Sequence, residues 1–147
     1  MIKKTGSAVW SGGIKDGTGA ISTQTGVLDN APYGFTARFG DGPGTNPEEL
    51  LGAAHAACFT MALSGQLGEA GMTATRLHTT ATVTLDKVEG GFSISAVHLS
   101  LEATIPGANQ EAFEAAALRA KQNCPVSKLF NAAITLDARL DNGQAPA

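Results

Sequence analysis

The chain has 147 residues, of which 16% are charged and 43% are hydrophobic, and its formal net charge is −3. This length predicts a single domain over residues 1–147 with a core of its own, and the composition of residues 141–147 predicts a frayed tail. The small negative charge argues against a nucleic-acid partner, and we expect no membrane segment because no apolar stretch reaches about 18 residues.

Residues 1–40 are rich in Gly, Ser and Thr and predict three short strands. These strands lie around residues 8–10, 19–27 and 33–39, and the Gly, Asp and Asn residues between them favour turns. The third strand would carry Arg38 near its end. Arg38 is an isolated cation on an otherwise apolar segment.

The strongest helix signal follows a loop at residues 41–45. Asn46 is a possible cap, and Pro47 suits the first helical position. Glu48 and Glu49 follow and match the positive end of the helix dipole. The helix is expected to run to about Glu69 and to stop at Gly71, with Cys58 near its middle. Because its centre is apolar nearly all round, we predict a buried helix.

Alternating apolar residues predict two long strands, 77–85 and 92–105, and a last strand over 134–140. A Gly-rich turn at 89–91 joins the first two strands. The apolar phase of the second strand shifts near Ala96, and one extra residue at that point predicts a β-bulge.

A second helix is predicted from about Asn109 to Gln122. Pro125 ends or restarts it and leaves Cys124 as a candidate cap for a short turn at 125–130. The expected fold is α+β: a mostly antiparallel β-sheet, a long buried central helix that carries Cys58 and a second helix that ends at Cys124.

Cys58 and Cys124 are the only cysteines, and no CxxC motif joins them. They are either two small hydrophobic residues of a core or a nucleophile and its resolving partner. Lys3 and Lys4 are not followed by the apolar run of a signal peptide, so we expect a cytoplasmic protein, in which a disulfide would be transient.

A reactive Cys58 would need help from a cation. An ordinary thiol is only about 3% ionised at neutral pH, burial raises its pKa further, and Cys58 lies beyond the reach of the helix dipole. Arg38 is the candidate cation, paired with Glu48 or Glu49. Because a straight helix separates Glu48 from Cys58 by about 15 Å, the two would share a site only if the helix bends or if a second copy lies antiparallel in a two-fold dimer.

His55 offers weaker alternatives. It shares a helix face with Cys58, so the two residues would suit a metal site or the nucleophile and base of a hydrolase. Cys124 adds only a third ligand, and no zinc-finger spacing is present, so we expect no metal and interpret His55 as a core histidine. His78 and His98 alternate with apolar neighbours and are interpreted as residues on strand faces.

Three segments carry a family resemblance: residues 33–35 (Tyr-Gly-Phe), residues 44–59 (Gly-Thr-Asn-Pro-Glu-Glu-Leu-Leu-Gly-Ala-Ala-His-Ala-Ala-Cys-Phe) and residues 123–127 (Asn-Cys-Pro-Val-Ser). They closely resemble the OsmC/Ohr family. These are the osmotically inducible protein C and organic hydroperoxide resistance proteins. The resemblance extends over residues 1 to about 141. It points to the OsmC branch, because Arg38 precedes the loop directly before the helix.

The resemblance implies a thiol-dependent peroxidase that works as an intertwined homodimer in the response to oxidative or osmotic stress. Cys58 would be the peroxidatic cysteine and Cys124 the resolving one, and Arg38 and Glu48 would activate and orient the thiolate. An organic hydroperoxide would be reduced to its alcohol through a Cys58 sulfenic acid and a Cys58–Cys124 disulfide. No bound cofactor is implied, and the external reductant would be a dithiol of the dihydrolipoyl type.

An apolar pocket around Cys58 would favour organic hydroperoxides, and Phe39, Phe59 and Met61 are its candidate lining residues. A protein that binds hydrophobic ligands and has structural cysteines remains the alternative from another class.

Overall fold

The computed structural model describes residues 1–144, which form two compact units, one ending at Leu50 and the other beginning at Leu51. The single domain predicted for the whole chain stays a prediction. Of the predicted tail, residues 145–147 lie outside the described residues. Asp141 ends the last strand, and the Asn142 side chain donates a hydrogen bond to the Ala108 carbonyl.

In the first unit a three-stranded antiparallel sheet has the order β1 (Gly6–Ser11), β2 (Thr18–Thr23), β3 (Ala31–Tyr33). The prediction of a strand over 33–39 is wrong beyond Tyr33, because Phe35–Phe39 is a short helix, α1.

The pairing of β3 explains this difference. Tyr33 is paired with Gly19, next to the start of β2, so the backbone after Tyr33 has almost no strand left to pair with. It forms local helical hydrogen bonds instead, including one from the Arg38 N–H to the Gly34 carbonyl at 3.1 Å.

Helix α2 (Pro47–Glu69) begins and ends where the sequence predicts. The Asn46 side chain accepts a hydrogen bond from the Glu49 N–H at 2.8 Å, as expected of an N-cap. Past the other end, Gly71 has a φ of +77°, a conformation that favours glycine, and the Met72 N–H closes the last turn on the Leu67 carbonyl.

The prediction of a helix buried all round is wrong for the single chain, because packing covers only one face of α2. The buried residues beyond its first turn are Gly52, His55, Phe59, Leu63 and Leu67. The opposite face is exposed and consists of small residues around Met61, namely Ala53, Ala54, Ala57, Ser64, Gly65 and Gly68.

By length and composition alone, with 23 residues and a mean hydropathy of 1.2 in an 18-residue window, α2 would be able to cross a membrane, contrary to the expectation that no such stretch exists. A helix that packs against a protein core meets the same criteria. Phe59 and Leu63 on α2 have no exposed surface and belong to such a core. Length and hydropathy are therefore weak evidence for a membrane segment here.

The second unit contains a sheet of three strands in the order β4 (Arg76–Val88), β5 (Gly91–Thr104), β6 (Ala133–Asp141). Strands β4 and β5 are antiparallel, whereas β6 runs parallel to β5. The predicted bulge is confirmed, because Thr84 pairs with Ala96 but Leu85 pairs with Ile94. The unpaired residue is Ser95, which is next to Ala96, where the sequence predicts the bulge.

Two helices, α3 (Gln110–Asn123) and α4 (Pro125–Leu129), lie in the connection that brings the chain back parallel to β5. The buried face of β5 and the inner faces of α2 and α3 meet in one apolar cluster that includes Val97, Leu99, Leu101, Phe59, Leu63, Phe113, Ala116 and Cys124. The observed fold is therefore α+β, and its larger core contains one of the two cysteines.

Candidate active site

The structure brings the two cysteines together. Cys58 is half-buried on α2, and Cys124 is fully buried between α3 and α4. Pro125 occupies the first position of α4, and the backbone N–H of Cys124 closes the end of α3 on the Ala120 carbonyl at 3.0 Å. The two side chains are hydrogen-bonded to each other, and both thiols are free. Cys124 occupies the N-cap position of α4, as predicted, although its side chain makes no capping hydrogen bond.

The surroundings of Cys58 favour the neutral thiol. Burial raises the pKa of Cys58 above its ordinary value, and the neighbouring Cys124 thiol raises it further. The backbone N–H of Val126 donates a hydrogen bond to the Cys58 sulfur and acts in the opposite direction without reversing the shift. Formation of the thiolate at neutral pH therefore requires additional positive charge.

Arg38 and Glu48 form a preorganised ion pair in the first unit. The Arg38 Nη2 lies 2.8 Å from the Glu48 Oε1, and the Arg38 Nε lies 3.2 Å from both carboxylate oxygens. The Glu48 carboxylate is largely buried, whereas 39% of the Arg38 side chain is exposed. The Asn46 amide donates to the Ala37 carbonyl at 3.1 Å and so fastens α1 to the start of α2.

Beside Arg38 lies a pocket of about 230 Å³ that is lined mainly by aromatic rings. The chain has six Phe, one Trp and one Tyr, and four of these eight residues line the pocket: Trp10, Tyr33, Phe35 and Phe39. A side chain at Gly19 would collide with the Tyr33 and Trp10 rings, so the glycine lets these rings meet over the sheet. Sequence reasoning found only Phe39 here, although the density of aromatic residues before position 40 was a usable signal.

The other two candidate lining residues lie elsewhere. Phe59 has no exposed surface and packs in the core of the second unit, whereas Met61 is 78% exposed on the outer face of α2. Phe59 therefore belongs to the core against which Cys58 packs, and Met61 points away from that core. Within residues 1–144 no group of three or more His, Cys, Asp or Glu side chains is arranged to hold a metal ion.

The His55 side chain bonds to Ser127, and none of its hydrogen bonds among the described residues goes to Cys58. Its Nε2 lies 2.7 Å from the Ser127 Oγ, and its Nδ1 has no hydrogen-bond partner among the described residues. Burial lowers the pKa of the imidazole, which is therefore neutral at pH 7. The interpretation of His55 as a core histidine is correct in that the side chain is buried. Only one of its two ring nitrogens, however, has a hydrogen-bond partner among the described residues. Ser127 was not among the predicted site residues, and no periodic pattern marks it.

A family model described as OsmC-like protein matches residues 40–139. Over 139 residues the chain is 54% identical to the Peroxiredoxin OsmC of Escherichia coli K12. The alignment covers 95% of this chain and 97% of that protein. This chain belongs to the OsmC family. The resemblance inferred from the three sequence segments is thereby confirmed.

Solved structures of OsmC-family proteins have the same fold. The organic hydroperoxide resistance protein OhrB of Bacillus subtilis matches with a TM-score of 0.66 at 28% identity, over 93% of this chain and 98% of that one. An organic hydroperoxide resistance protein OsmC from Legionella pneumophila matches with a TM-score of 0.65 at 29% identity, over 93% and 96% of the two chains. These matches confirm the α+β fold.

Proposed function

We propose that this OsmC-family chain is a thiol peroxidase that reduces organic hydroperoxides to alcohols, with Cys58 as the peroxidatic cysteine and Cys124 as the resolving one. The observation that carries the proposal is the hydrogen-bonded thiol pair between α2 and the junction of α3 and α4. The peroxiredoxin relative and the two hydroperoxide-resistance structures support the peroxidase activity.

The chemistry follows from two sulfur atoms in contact. The Cys58 thiolate attacks one peroxide oxygen, the O–O bond breaks, and the alkoxide takes up a proton to leave as the alcohol. Cys58 is then a sulfenic acid. The Cys124 sulfur attacks the Cys58 sulfur, the S–O bond breaks and water leaves, which yields the disulfide. An external dithiol, of the dihydrolipoyl type, reduces this disulfide and becomes a disulfide itself.

Arg38 is the proposed source of the missing positive charge, and Glu48 is the proposed residue that orients it. The groups that act on Cys58 within its own unit raise its pKa on balance. Lowering that pKa by two units would take about 2.7 kcal/mol of preferential interaction with the thiolate. A guanidinium bonded through two of its nitrogens to one carboxylate is already fixed in place, so little further ordering is needed when the thiolate forms.

The aromatic pocket beside Arg38 is the proposed binding site for the organic part of the hydroperoxide. The rings supply apolar surface, and hydrogen peroxide has no apolar group that could pack against it. The pocket therefore favours hydroperoxides with an alkyl or aryl group. Phe39 would contact the substrate directly, whereas buried Phe59 would act only as support for the site.

The exposed face of α2 suggests the assembly. Small side chains such as Ala53 and Ala57 flank Met61 on a continuous helix surface that the single chain leaves uncovered. We propose that a second copy covers this face in a homodimer, because small residues permit the close approach of two helices. A cytoplasmic location and a role in oxidative or osmotic stress complete the proposal.

Peptide mapping tests the function directly. One equivalent of tert-butyl hydroperoxide, added to the reduced protein, is expected to release one equivalent of alcohol and to link the peptides that contain Cys58 and Cys124. Non-reducing digestion and mass spectrometry detect the link. A hydrophobic-ligand-binding protein with structural cysteines would leave the peroxide unconsumed and both thiols free, and this result would contradict the proposal.

Arg38→Met is expected to raise the pKa of Cys58, because methionine keeps bulk and removes the charge that opposes the effect of burial. The pH profile of alkylation, followed on the Cys58 peptide, is expected to move to higher pH. Arg119→Met is the matched control, since Arg119 is exposed on α3 and bonds to Gln66. An alkylation profile that stays in place for Arg38→Met would remove Arg38 from the mechanism.

A further inference from the structure

One buried hydrogen bond joins the helix that carries Cys58 to the short helix that follows Cys124. His55 lies one turn before Cys58 on α2, and Ser127 lies three residues after Cys124 in α4. The His55 Nε2 and the Ser127 Oγ are 2.7 Å apart, and His55 has no exposed surface. The bond therefore links the backbone segments of the two cysteines.

Helix α4 has few anchors of its own beyond Val126, which is partly buried against the core and whose N–H bonds to the Cys58 sulfur. It is five residues long, has no side-chain cap and contains no fully buried residue. Local backbone hydrogen bonds run from the Lys128 N–H to the Cys124 carbonyl and from the Phe130 N–H to the Val126 carbonyl. The Phe130 ring meets the His55 ring edge-on, with the centroids 5.3 Å apart. His55 thus contacts this segment through both a hydrogen bond and a ring.

The polar pair also leaves a group unsatisfied. A neutral imidazole has one N–H and one bare nitrogen, so whichever way the Ser127 hydroxyl turns, the Nδ1 is left as a donor or an acceptor without a partner among the described residues. An apolar side chain would fill the same space without that loss. The arrangement is better explained by directional positioning than by packing.

We propose that His55 and Ser127 are positioning residues that hold Cys124 against Cys58, so that disulfide formation outpaces over-oxidation of the Cys58 sulfenic acid. This inference rests on the proposed peroxidase cycle. In the favoured step the Cys124 sulfur bonds to the Cys58 sulfur, and the sulfenic hydroxyl leaves as water with the Cys124 proton. In the competing step a second hydroperoxide transfers an oxygen to the sulfenic acid, which gives a sulfinic acid and a second alcohol.

The competition between these two steps provides the readout. Protein is cycled with tert-butyl hydroperoxide and dihydrolipoic acid, and the sulfinic acid formed on Cys58 per alcohol released is measured by mass spectrometry at several peroxide concentrations. This ratio depends only on the fate of the sulfenic acid once it has formed. A slower first oxidation or a smaller amount of folded protein does not move it.

Ser127→Ala is expected to raise this over-oxidation ratio about tenfold, because small misplacements of a reacting group cost up to about two orders of magnitude in rate. Ser127→Thr keeps a hydroxyl and is expected to remain near the wild-type ratio. Ser100→Ala, which removes an exposed hydroxyl from β5, is the matched control. His55→Leu should raise the ratio at least as much as Ser127→Ala, because it removes the ring contact with Phe130 as well as the hydrogen bond. Adding Ser127→Ala to His55→Leu should change little, because the hydrogen bond is already lost.

Two results would overturn the positioning role. If Ser127→Ala and His55→Leu over-oxidise at the wild-type ratio while still cycling through the Cys58–Cys124 disulfide, only this inference fails. If the wild-type protein consumes hydroperoxide without ever linking the two cysteines, the proposed cycle fails as well. Peptide mapping of the wild type distinguishes these two failures.

Discussion

Replacing Cys58 with serine is expected to reduce hydroperoxide turnover to the uncatalysed background. A serine hydroxyl in the same place is not ionised at neutral pH, and a thiolate is the group that accepts an oxygen atom from a peroxide. Consumption of tert-butyl hydroperoxide in the presence of a dithiol measures the loss. Turnover that persists in Cys58→Ser would move the nucleophile to another group.

Cys124→Ser is expected to behave differently. The first oxidation should survive, because Cys124 is one of the groups that raise the Cys58 pKa and its removal does not disfavour the thiolate. A first alcohol should form per chain as the sulfenic acid appears, and under excess peroxide Cys58 should then pass to the sulfinic acid with release of a second alcohol, since the resolving sulfur is gone. Equal turnover of Cys124→Ser and wild type with a dithiol would show that the resolving role is wrong.

Local signals predicted the two long helices, α2 and α3, and the bulge well. The cap at Asn46 and the glycine at Gly71 define α2 to within two residues, since both act through neighbouring backbone groups. The apolar phase shift in β5 likewise reports a local event. These features need no knowledge of the rest of the fold.

Features that depend on distant partners were not predictable in this way. The segment that carries Arg38 has the composition of a strand, but β2 leaves it no edge to pair with, so it forms α1. The parallel pairing of β5 with β6 is also set by the route of the chain through α3 and α4. The face of α2 around Met61 was predicted to be buried yet is exposed in the single chain, because composition does not say which residues of a helix the fold will cover.

In the candidate site, too, the features that depend on distant partners could not be predicted from local sequence. The contact between Cys58 and Cys124 depends on the way α3 ends beside α2, and spacing alone left two interpretations of the cysteines open. The family resemblance, not periodicity, supplied their roles. Ser127 was given no role, although it ends the segment 123–127 that resembles the family, because its relation to His55 exists only in three dimensions.

A mixture of two inactive variants, Cys58→Ser and Glu48→Gln, is expected to recover activity if each active site uses residues of both subunits. Glu48 lies in the first turn of α2, about ten residues before Cys58, and a straight helix of that length rises about 15 Å. Such a separation is more than an ion pair and its target thiolate can share, so the Arg38–Glu48 pair that serves Cys58 is proposed to come from the partner.

The fraction of wild-type sites in the mixture distinguishes a site built across two subunits from a site built within one chain. In a heterodimer of the two variants, a site built across the subunits carries either both substitutions or neither. Random exchange of subunits makes half of the dimers mixed, so about a quarter of the sites become wild type and turnover should rise to about a quarter of the wild-type rate. If each site is instead built from one chain, every site keeps one substitution and mixing restores nothing. Activity measured after dissociation and reassociation of the mixed dimers, with each variant treated alone as the control, decides between the two arrangements.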